Sequence, residues 1–130
     1  MKSYTDLKQS RTLAEFLPHN TSDQTWARIA IAGANLGIPE EKQYRHDGDM
    51  PFYFYSGTGV PCWSLAALLD VIKDKCDYFE FVYLKRTYDG RANLLVDVYR
   101  LSTDVYDVYN KEAVDACVEM ILKLHELKLI

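Results

Sequence analysis

The sequence predicts an α+β domain in which three helices pack on one mainly antiparallel sheet of about five strands, in two layers. Apolar residues recur at helical spacing near the start, in the middle and at the end of the chain. Between these segments, apolar and polar residues alternate as they do in half-buried strands. Two Asp-Gly pairs, at positions 47–48 and 89–90, are typical of the tight turns that join antiparallel strands. The predicted order is one helix, two or three strands, a second helix, two or three strands and a third helix.

Three segments have the features of helices. The first spans Tyr4–Leu17, and Thr5 or Ser3 can cap its first turn. The second begins at Pro61, because proline is favoured in the first helical turn, and its apolar residues recur at intervals of three and four. The third follows Asn110, which can cap it, and runs to the end of the chain.

The first group of strands is predicted between the first two helices. Residues Thr25–Ala32 alternate between apolar and polar positions, as in a half-buried strand. The segments Lys42–Arg45 and Phe52–Tyr55 flank the turn His46–Asp49, so we expect them to form a hairpin. These three segments predict a meander of up to three strands.

The second group of strands is predicted between the second and third helices. Residues Phe79–Leu84 alternate, and so do Leu94–Val98 on the other side of the turn Tyr88–Arg91. This pattern predicts a hairpin. The stretch Ser102–Tyr109 that follows is either a short edge strand or a tyrosine-rich loop.

The composition narrows the class of protein. With 130 residues, the chain is expected to form one domain, residues 1–130. The net charge of -4 and the scattered basic residues disfavour binding to nucleic acid. No apolar run is long enough to cross a membrane, and the first residues lack the apolar stretch of a signal peptide. We therefore expect a cytoplasmic protein that does not bind membranes.

Three blocks of the sequence carry a resemblance. They are residues 3–18 (SYTDLKQSRTLAEFLP), 60–72 (VPCWSLAALLDVI) and 113–130 (AVDACVEMILKLHELKLI). Together they resemble a group of small uncharacterised proteins encoded in Bacteroides-type bacterial genomes and in their phages and mobile elements. The resemblance implies a bacterial or phage origin, and it brings no activity or site residue with it. The order of elements is also similar to that of type III secretion chaperones, which are small acidic dimeric binding proteins, and this implies a binding role.

Cys62 is the one candidate for catalysis. In the predicted first turn of the second helix, backbone N–H groups and the helix dipole would favour its thiolate. A nucleophile also needs a base, and the three histidines, at positions 19, 46 and 125, lie in other segments. The alternative is that Cys62 packs as a small apolar residue beside Trp63. The three cysteines are odd in number and lack zinc-ligand spacing, so reduced thiols and no structural zinc are expected.

Two further motifs have a functional and a structural interpretation. The segment Ser56–Gly59 follows a predicted strand and precedes a helix, as anion-binding loops do, but it lacks the complete glycine pattern and also fits a flexible connector. His46, Asp47 and Asp49 are possible metal ligands, but a hairpin turn uses the same residue types and no further ligand is visible. We therefore predict neither a metal site nor a cofactor.

Tyrosine is the residue that most suggests recognition, since the chain contains ten. Aromatic side chains with polar tips are enriched at interface hot spots. The candidate binding residues are Tyr99, Tyr106, Tyr109 and Trp63. The alternative is that the aromatic residues fill one face of the sheet.

The sequence thus favours a non-enzymatic protein-binding or accessory module. A protein partner or a second copy is expected to contact either the tyrosine-rich sheet or the apolar face of the last helix. The alternatives are a small thiol-dependent enzyme that uses Cys62, and a phage or mobile-element regulatory protein.

Overall fold

The computed structural model describes residues 2–29, 39–49, 59–88 and 95–130. Within these ranges the chain forms three α-helices and six β-strands, which confirms the predicted α+β class. The helices are α1 (Leu7–Ala14), α2 (Leu65–Lys75) and α3 (Ala113–Glu126). The strands are β1 (Gln24–Arg28), β2 (Tyr44–His46), β3 (Val60–Cys62), β4 (Phe79–Tyr88), β5 (Leu95–Thr103) and β6 (Asp107–Asn110).

The strands form two sheets, so the prediction of one sheet of about five strands is wrong. The first sheet has the order β2-β1-β3 and the second has the order β4-β5-β6, and every pair is antiparallel. In the described ranges each group of strands pairs among its own members, and α2 separates the two groups along the chain. Alternation in a sequence identifies strands, but it does not identify their neighbours.

The pairing in the first sheet differs from the predicted meander. The central strand β1 pairs with β2 on one side and with β3 on the other. Asp47–Asp49 form a single turn of 3-10 helix at the end of β2 instead of a two-residue hairpin turn. The predicted strand Phe52–Tyr55 and most of the Ser56–Gly59 loop lie outside the described residues, as does the centre of the second Asp-Gly turn. The hairpin of β4 and β5 is formed as predicted.

The helices begin later than their sequence signals suggest. Asp6, rather than Thr5 or Ser3, caps α1, and its side chain and that of Gln9 form a reciprocal capping box. Ser64 caps α2. Pro61 belongs instead to the edge strand β3, where a proline removes no hydrogen bond from the sheet.

The third helix is also shorter at both ends than predicted. Asn110 is the last residue of β6, and its side chain accepts a hydrogen bond from the backbone of Glu112, which is the residue before α3. The helix ends at Glu126 rather than at the end of the chain. None of the helices in the described ranges has the length and apolar character needed to span a bilayer.

The core is centred on α3, which packs against β5 and β6 on one side and against α2 on another. The apolar face of α3 is therefore covered within the chain, and the prediction that this face is free for a partner is wrong. Completely buried side chains of the core include Leu13, Trp63, Leu68, Ile72, Leu101, Val114, Cys117, Met120, Ile121 and Leu124.

Candidate functional site

The second sheet has two faces with different surroundings. The register pairs Leu101 with Phe81 and with Val108, and all three side chains pack in or against the core. We call this side, which α3 covers, the inner face. Because side chains alternate along a strand, Arg100 and its partner Tyr109 point to the other side, which we call the outer face.

A hydrogen-bonded row of polar side chains crosses the outer face. It comprises Tyr78, which directly precedes β4, together with Glu80, Arg100 and Tyr109. The Tyr78 hydroxyl donates to Glu80 Oε2 at 2.6 Å, and Arg100 Nη2 donates to Glu80 Oε1 at 2.9 Å. These two hydrogen bonds fix side chains of β4 and β5 relative to one another. We refer to these four residues as the outer-face row.

The electrostatics of the outer-face row follow from the same contacts. The hydrogen bonds from Tyr78 and then from Arg100 lower the pKa of the Glu80 carboxyl. The hydrogen bond to Glu80, assisted by one with Tyr109, raises the pKa of the Arg100 guanidinium. The row therefore carries one acid and one base side by side, and both are charged at neutral pH.

The tyrosines of the row remain accessible. Tyr78 is 52% exposed and Tyr109 is 57% exposed. Half-buried apolar side chains lie on the same face, namely Val82, Leu84 and Val98. Tyrosine and arginine on an apolar background are the composition typical of interface hot spots.

The structure does not place the predicted tyrosines on one face. Tyr99 pairs with Asn110 and points to the inner side, where its ring stacks on Phe81 at a centroid distance of 5.3 Å. Tyr106 lies in the turn between β5 and β6, 42% exposed, with Lys123 Nζ 5.0 Å from its ring centre. Of the three tyrosines predicted as binding residues, Tyr109 alone belongs to the outer-face row.

Trp63 does not contribute to any surface. Its side chain has 0% exposure, and its indole N–H donates to Thr21 Oγ1 at 2.9 Å inside the core. A completely buried side chain presents no surface to a partner, so the structure gives no support to the prediction of Trp63 as a binding residue.

Sequence reasoning missed Tyr78, Glu80 and Arg100. The alternation of Tyr78, Glu80 and Val82 indicates that these residues share one face. Arg100 joins them only because the register places it opposite Val82 in β4 and opposite Tyr109 in β6. That register is set by tertiary packing.

Cys62 lies in β3 and not in the first turn of α2, so the helix dipole does not favour its thiolate. Its side chain is completely buried, and Sγ lies 3.4 Å from the carbonyl oxygen of Thr5. Burial raises the pKa of the Cys62 thiol, and hydrogen bonds from Thr5 and Ser10 offset this only in part. These surroundings stabilise the neutral thiol.

The histidine nearest to Cys62 through hydrogen bonds is not placed to act as a base. Gln24 Oε1 lies 3.9 Å from Cys62 Sγ and 2.7 Å from His46 Nε2. The backbone N–H of Gly48 donates to His46 Nδ1 at 3.2 Å, so the ring proton resides on Nε2 and is donated to Gln24. Both ring nitrogens therefore already have partners, and Gln24 lies between the ring and Cys62.

The same contacts account for His46, Asp47 and Asp49, which sequence reasoning considered as metal ligands. Asp47 Oδ1 lies 3.4 Å from His46 Nε2, and Asp49 Oδ2 lies 4.0 Å from Nδ1. His46 also stacks on Tyr4 at a centroid distance of 3.7 Å, and the Tyr4 hydroxyl donates to Asp49. Across the part of the chain that the structure describes, no group of three or more His, Cys, Asp or Glu residues is arranged to hold a metal ion.

Comparisons with known proteins add no relative to this description. No protein-family model, curated protein or solved structure matches the chain.

Proposed function

We propose that this protein is a non-enzymatic protein-binding module, and that a second copy of the chain docks on the outer face of its second sheet. The observation that carries the proposal is the outer-face row, in which two half-exposed tyrosines flank an arginine and a glutamate. Tyrosine and arginine dominate binding energy at protein interfaces because they bury large areas and still form hydrogen bonds.

The row is ordered before binding. Glu80 accepts hydrogen bonds from both Tyr78 and Arg100, and these contacts restrict side chains that would otherwise lose rotational freedom on docking. Ordering an interface side chain costs about 0.5–1.5 kcal/mol, so a face that is already ordered binds more tightly for the same contact area.

Charge supports a second copy as the partner. The Glu80–Arg100 pair is complementary to itself after a two-fold rotation that places Glu80 of one copy opposite Arg100 of the other. Asp107 adds a second acid on the same face, so this face has no surplus positive charge for nucleic acid, in keeping with the net charge of -4.

The buried thiol supports a role without catalysis. Cys62 has no exposed surface, a raised pKa and no base within reach in the described contacts, and each of these disfavours a nucleophile. An origin in Bacteroides-type bacteria or their phages, and a regulatory role there, stay predictions from the sequence.

Charge reversal tests the proposal. Arg100→Glu and Glu80→Arg should each be monomeric, because each would place like charges opposite one another, and mixing the two variants should restore a dimer. Tyr109→Thr should weaken the wild-type dimer by about 2 kcal/mol. Sedimentation velocity across a range of protein concentrations measures dimer formation in the wild type, in each variant and in the mixture of the two charge variants.

Tyr106→Thr is the matched control, because Tyr106 is also exposed but lies outside the row. It should dimerise like the wild type. A wild-type chain that remains monomeric at every concentration would contradict self-pairing, and so would charge variants that dimerise as well as the wild type does. Far-ultraviolet circular dichroism establishes that each variant is folded.

A further inference from the structure

The structure also contains a cleft with a volume of about 450 Å³. The end of α1, the turn His19–Thr21, one face of α2 and the last residue, Ile130, surround it. Its apolar wall consists of Phe16, Leu17, Pro18, Ala67, Val71 and Ile130. The volume is within the range of about 300–1,000 Å³ that is usual for small-molecule sites.

The polar rim of the cleft carries two acids and one base. Asp70 and Asp74 line it one helical turn apart on α2, and Lys75 lines it beside Asp74. Like charges at this spacing destabilise a helix slightly, and a bound cation would relieve the repulsion. Asp74 has a counter-ion, since Lys75 Nζ lies 3.6 Å from Asp74 Oδ2. Asp70 has no hydrogen bond or ion pair with any described residue.

We infer that this cleft binds a small amphipathic organic cation. The apolar body of the ligand would pack against Leu17 and Val71, and its ammonium group would lie at Asp70. Lys75 pairs with Asp74, so the rim keeps the uncompensated charge of the exposed Asp70, which attracts a cation and repels an anion of the same shape. The inference is independent of the proposed pairing of two copies, because the cleft shares no residue with the outer-face row.

The tryptophans provide a specific reporter of binding. Thr21 lines the cleft and accepts the indole N–H of Trp63 at 2.9 Å, so Trp63 is one hydrogen bond away from a ligand. Trp26 donates its indole N–H to the carbonyl oxygen of Thr5 in a different part of the molecule, at 3.0 Å. A ligand in the cleft should therefore shift the Trp63 signal and leave that of Trp26 unchanged.

The experiment is a titration of the full chain, labelled with nitrogen-15, with hexylammonium chloride. The Trp63 indole cross-peak should move to saturation, whereas the anionic analogue sodium hexanesulfonate should cause no saturable shift. Asp70→Asn should weaken hexylammonium binding by about two- to fivefold, as expected for one exposed ion pair.

Asp104→Asn is the matched control, because Asp104 is exposed and lies outside the cleft. It should bind hexylammonium like the wild type. Absence of a saturable Trp63 shift would overturn the inference. Equal responses to the cation and the anion, or unchanged affinity in Asp70→Asn, would also overturn it, because the charge selectivity would then be missing.

Discussion

The two sheets share one topology, three antiparallel strands with the middle strand paired on both sides, but different interactions hold them in place. The first sheet and the N-terminal segment enclose hydrogen-bonded polar side chains. The second sheet presents apolar side chains to α3. The comparison shows that a short sheet can depend on directional polar contacts where a longer sheet depends on apolar burial.

Thr5 is the centre of the polar cluster at the first sheet. It is completely buried, its Oγ1 lies 2.7 Å from Ser10 Oγ, and it accepts the backbone N–H of Trp63 at 3.1 Å. Its carbonyl oxygen accepts the indole N–H of Trp26. Strands of three to five residues bury little apolar surface of their own, so these contacts determine how the N-terminal segment lies on the sheet.

The second sheet is longer and its inner face is apolar. β4 has ten residues and β5 has nine. Leu101 and Val108 are buried at 0% and 1% exposure among the side chains of α3. Thr103 is a buried polar residue on this face, and its hydroxyl contacts Met120 Sδ at 3.7 Å. The second sheet should therefore be most sensitive to loss of volume, and the first to loss of a hydrogen-bonding group.

The largest effect is expected from a cavity under the second sheet. Leu101→Ala should lower the free energy of unfolding by about 2–5 kcal/mol, because a completely buried leucine loses both its transfer energy and its packing. Leu122→Ala is the control, because the Leu122 side chain on α3 is 37% exposed, and it should change the free energy of unfolding by less than about 0.5 kcal/mol. Urea denaturation measures both, and equal losses would contradict an apolar inner face.

A smaller effect is expected from the polar cluster of the first sheet. Thr5→Val preserves the shape of the side chain but leaves the backbone N–H of Trp63 without its acceptor, and it should cost about 1–3 kcal/mol. Thr12→Val is the control, since its hydroxyl bonds Lys8 O at the exposed surface of α1. If the two variants were equally stable in urea denaturation, hydrogen bonding would not be what holds the first sheet.

The two buried cysteines, Cys62 and Cys117, should make the stability of the protein depend on pH to different extents. Burial alone raises the pKa of Cys117 to about 12, from 9.0 in the unfolded chain. Above pH 9 the unfolded thiol loses its proton while the folded one keeps it, so stability falls as pH rises, by about 1.4 kcal/mol per unit. Hydrogen bonds from Thr5 and Ser10 oppose the same effect at Cys62.

Cys117→Ala should therefore remove about 1 kcal/mol of the stability lost between pH 9 and pH 10, because the unfolded thiol is already half ionised at pH 9. Cys62→Ala should remove less, because its thiolate would be partly satisfied by hydrogen bonds. Urea denaturation of the three proteins at both pH values gives these slopes. A slope at Cys117 no steeper than that at Cys62 would show that the surroundings of the two thiols do not differ as described.

The smallest effect on stability is expected at the outer face. Tyr109→Thr replaces a 57% exposed side chain with another good strand former, and should change the free energy of unfolding by less than about 0.5 kcal/mol. Thermal or urea denaturation of a dilute sample tests this. A much larger loss would mean that Tyr109 supports the fold of the second sheet rather than a partner.

Much of the local structure could be predicted from the sequence. The three helices and the β4–β5 hairpin follow from periodicity, because a helix and a strand repeat their buried positions at different intervals. The exact starts of the helices could not be predicted, since several polar residues compete to cap each one. Thr5 is a plausible N-cap residue in the sequence, but its side chain is completely buried, and Asp6 caps α1 instead.

The candidate site was predictable only in part. Tyrosine excess pointed to a tyrosine-rich sheet, and Tyr109 does lie on the outer face of the second sheet, but Trp63 is buried and Tyr99 points the other way. Moving one position along a strand reverses the face, so composition alone cannot show which tyrosines act together. The hydrogen bond between Arg100 and Glu80 depends on a cross-strand register that no sequence motif predicts.

The sequence by itself determined the α+β class and which segments are helices, because these depend on interactions within a few residues. Only the tertiary structure decided that the strands divide into two sheets, that α3 is enclosed, and that Cys62 lies in a buried strand. Each of these depends on contacts between residues far apart in the chain. Such contacts are selected by how well whole elements pack together, and the pattern of any one segment does not contain that information.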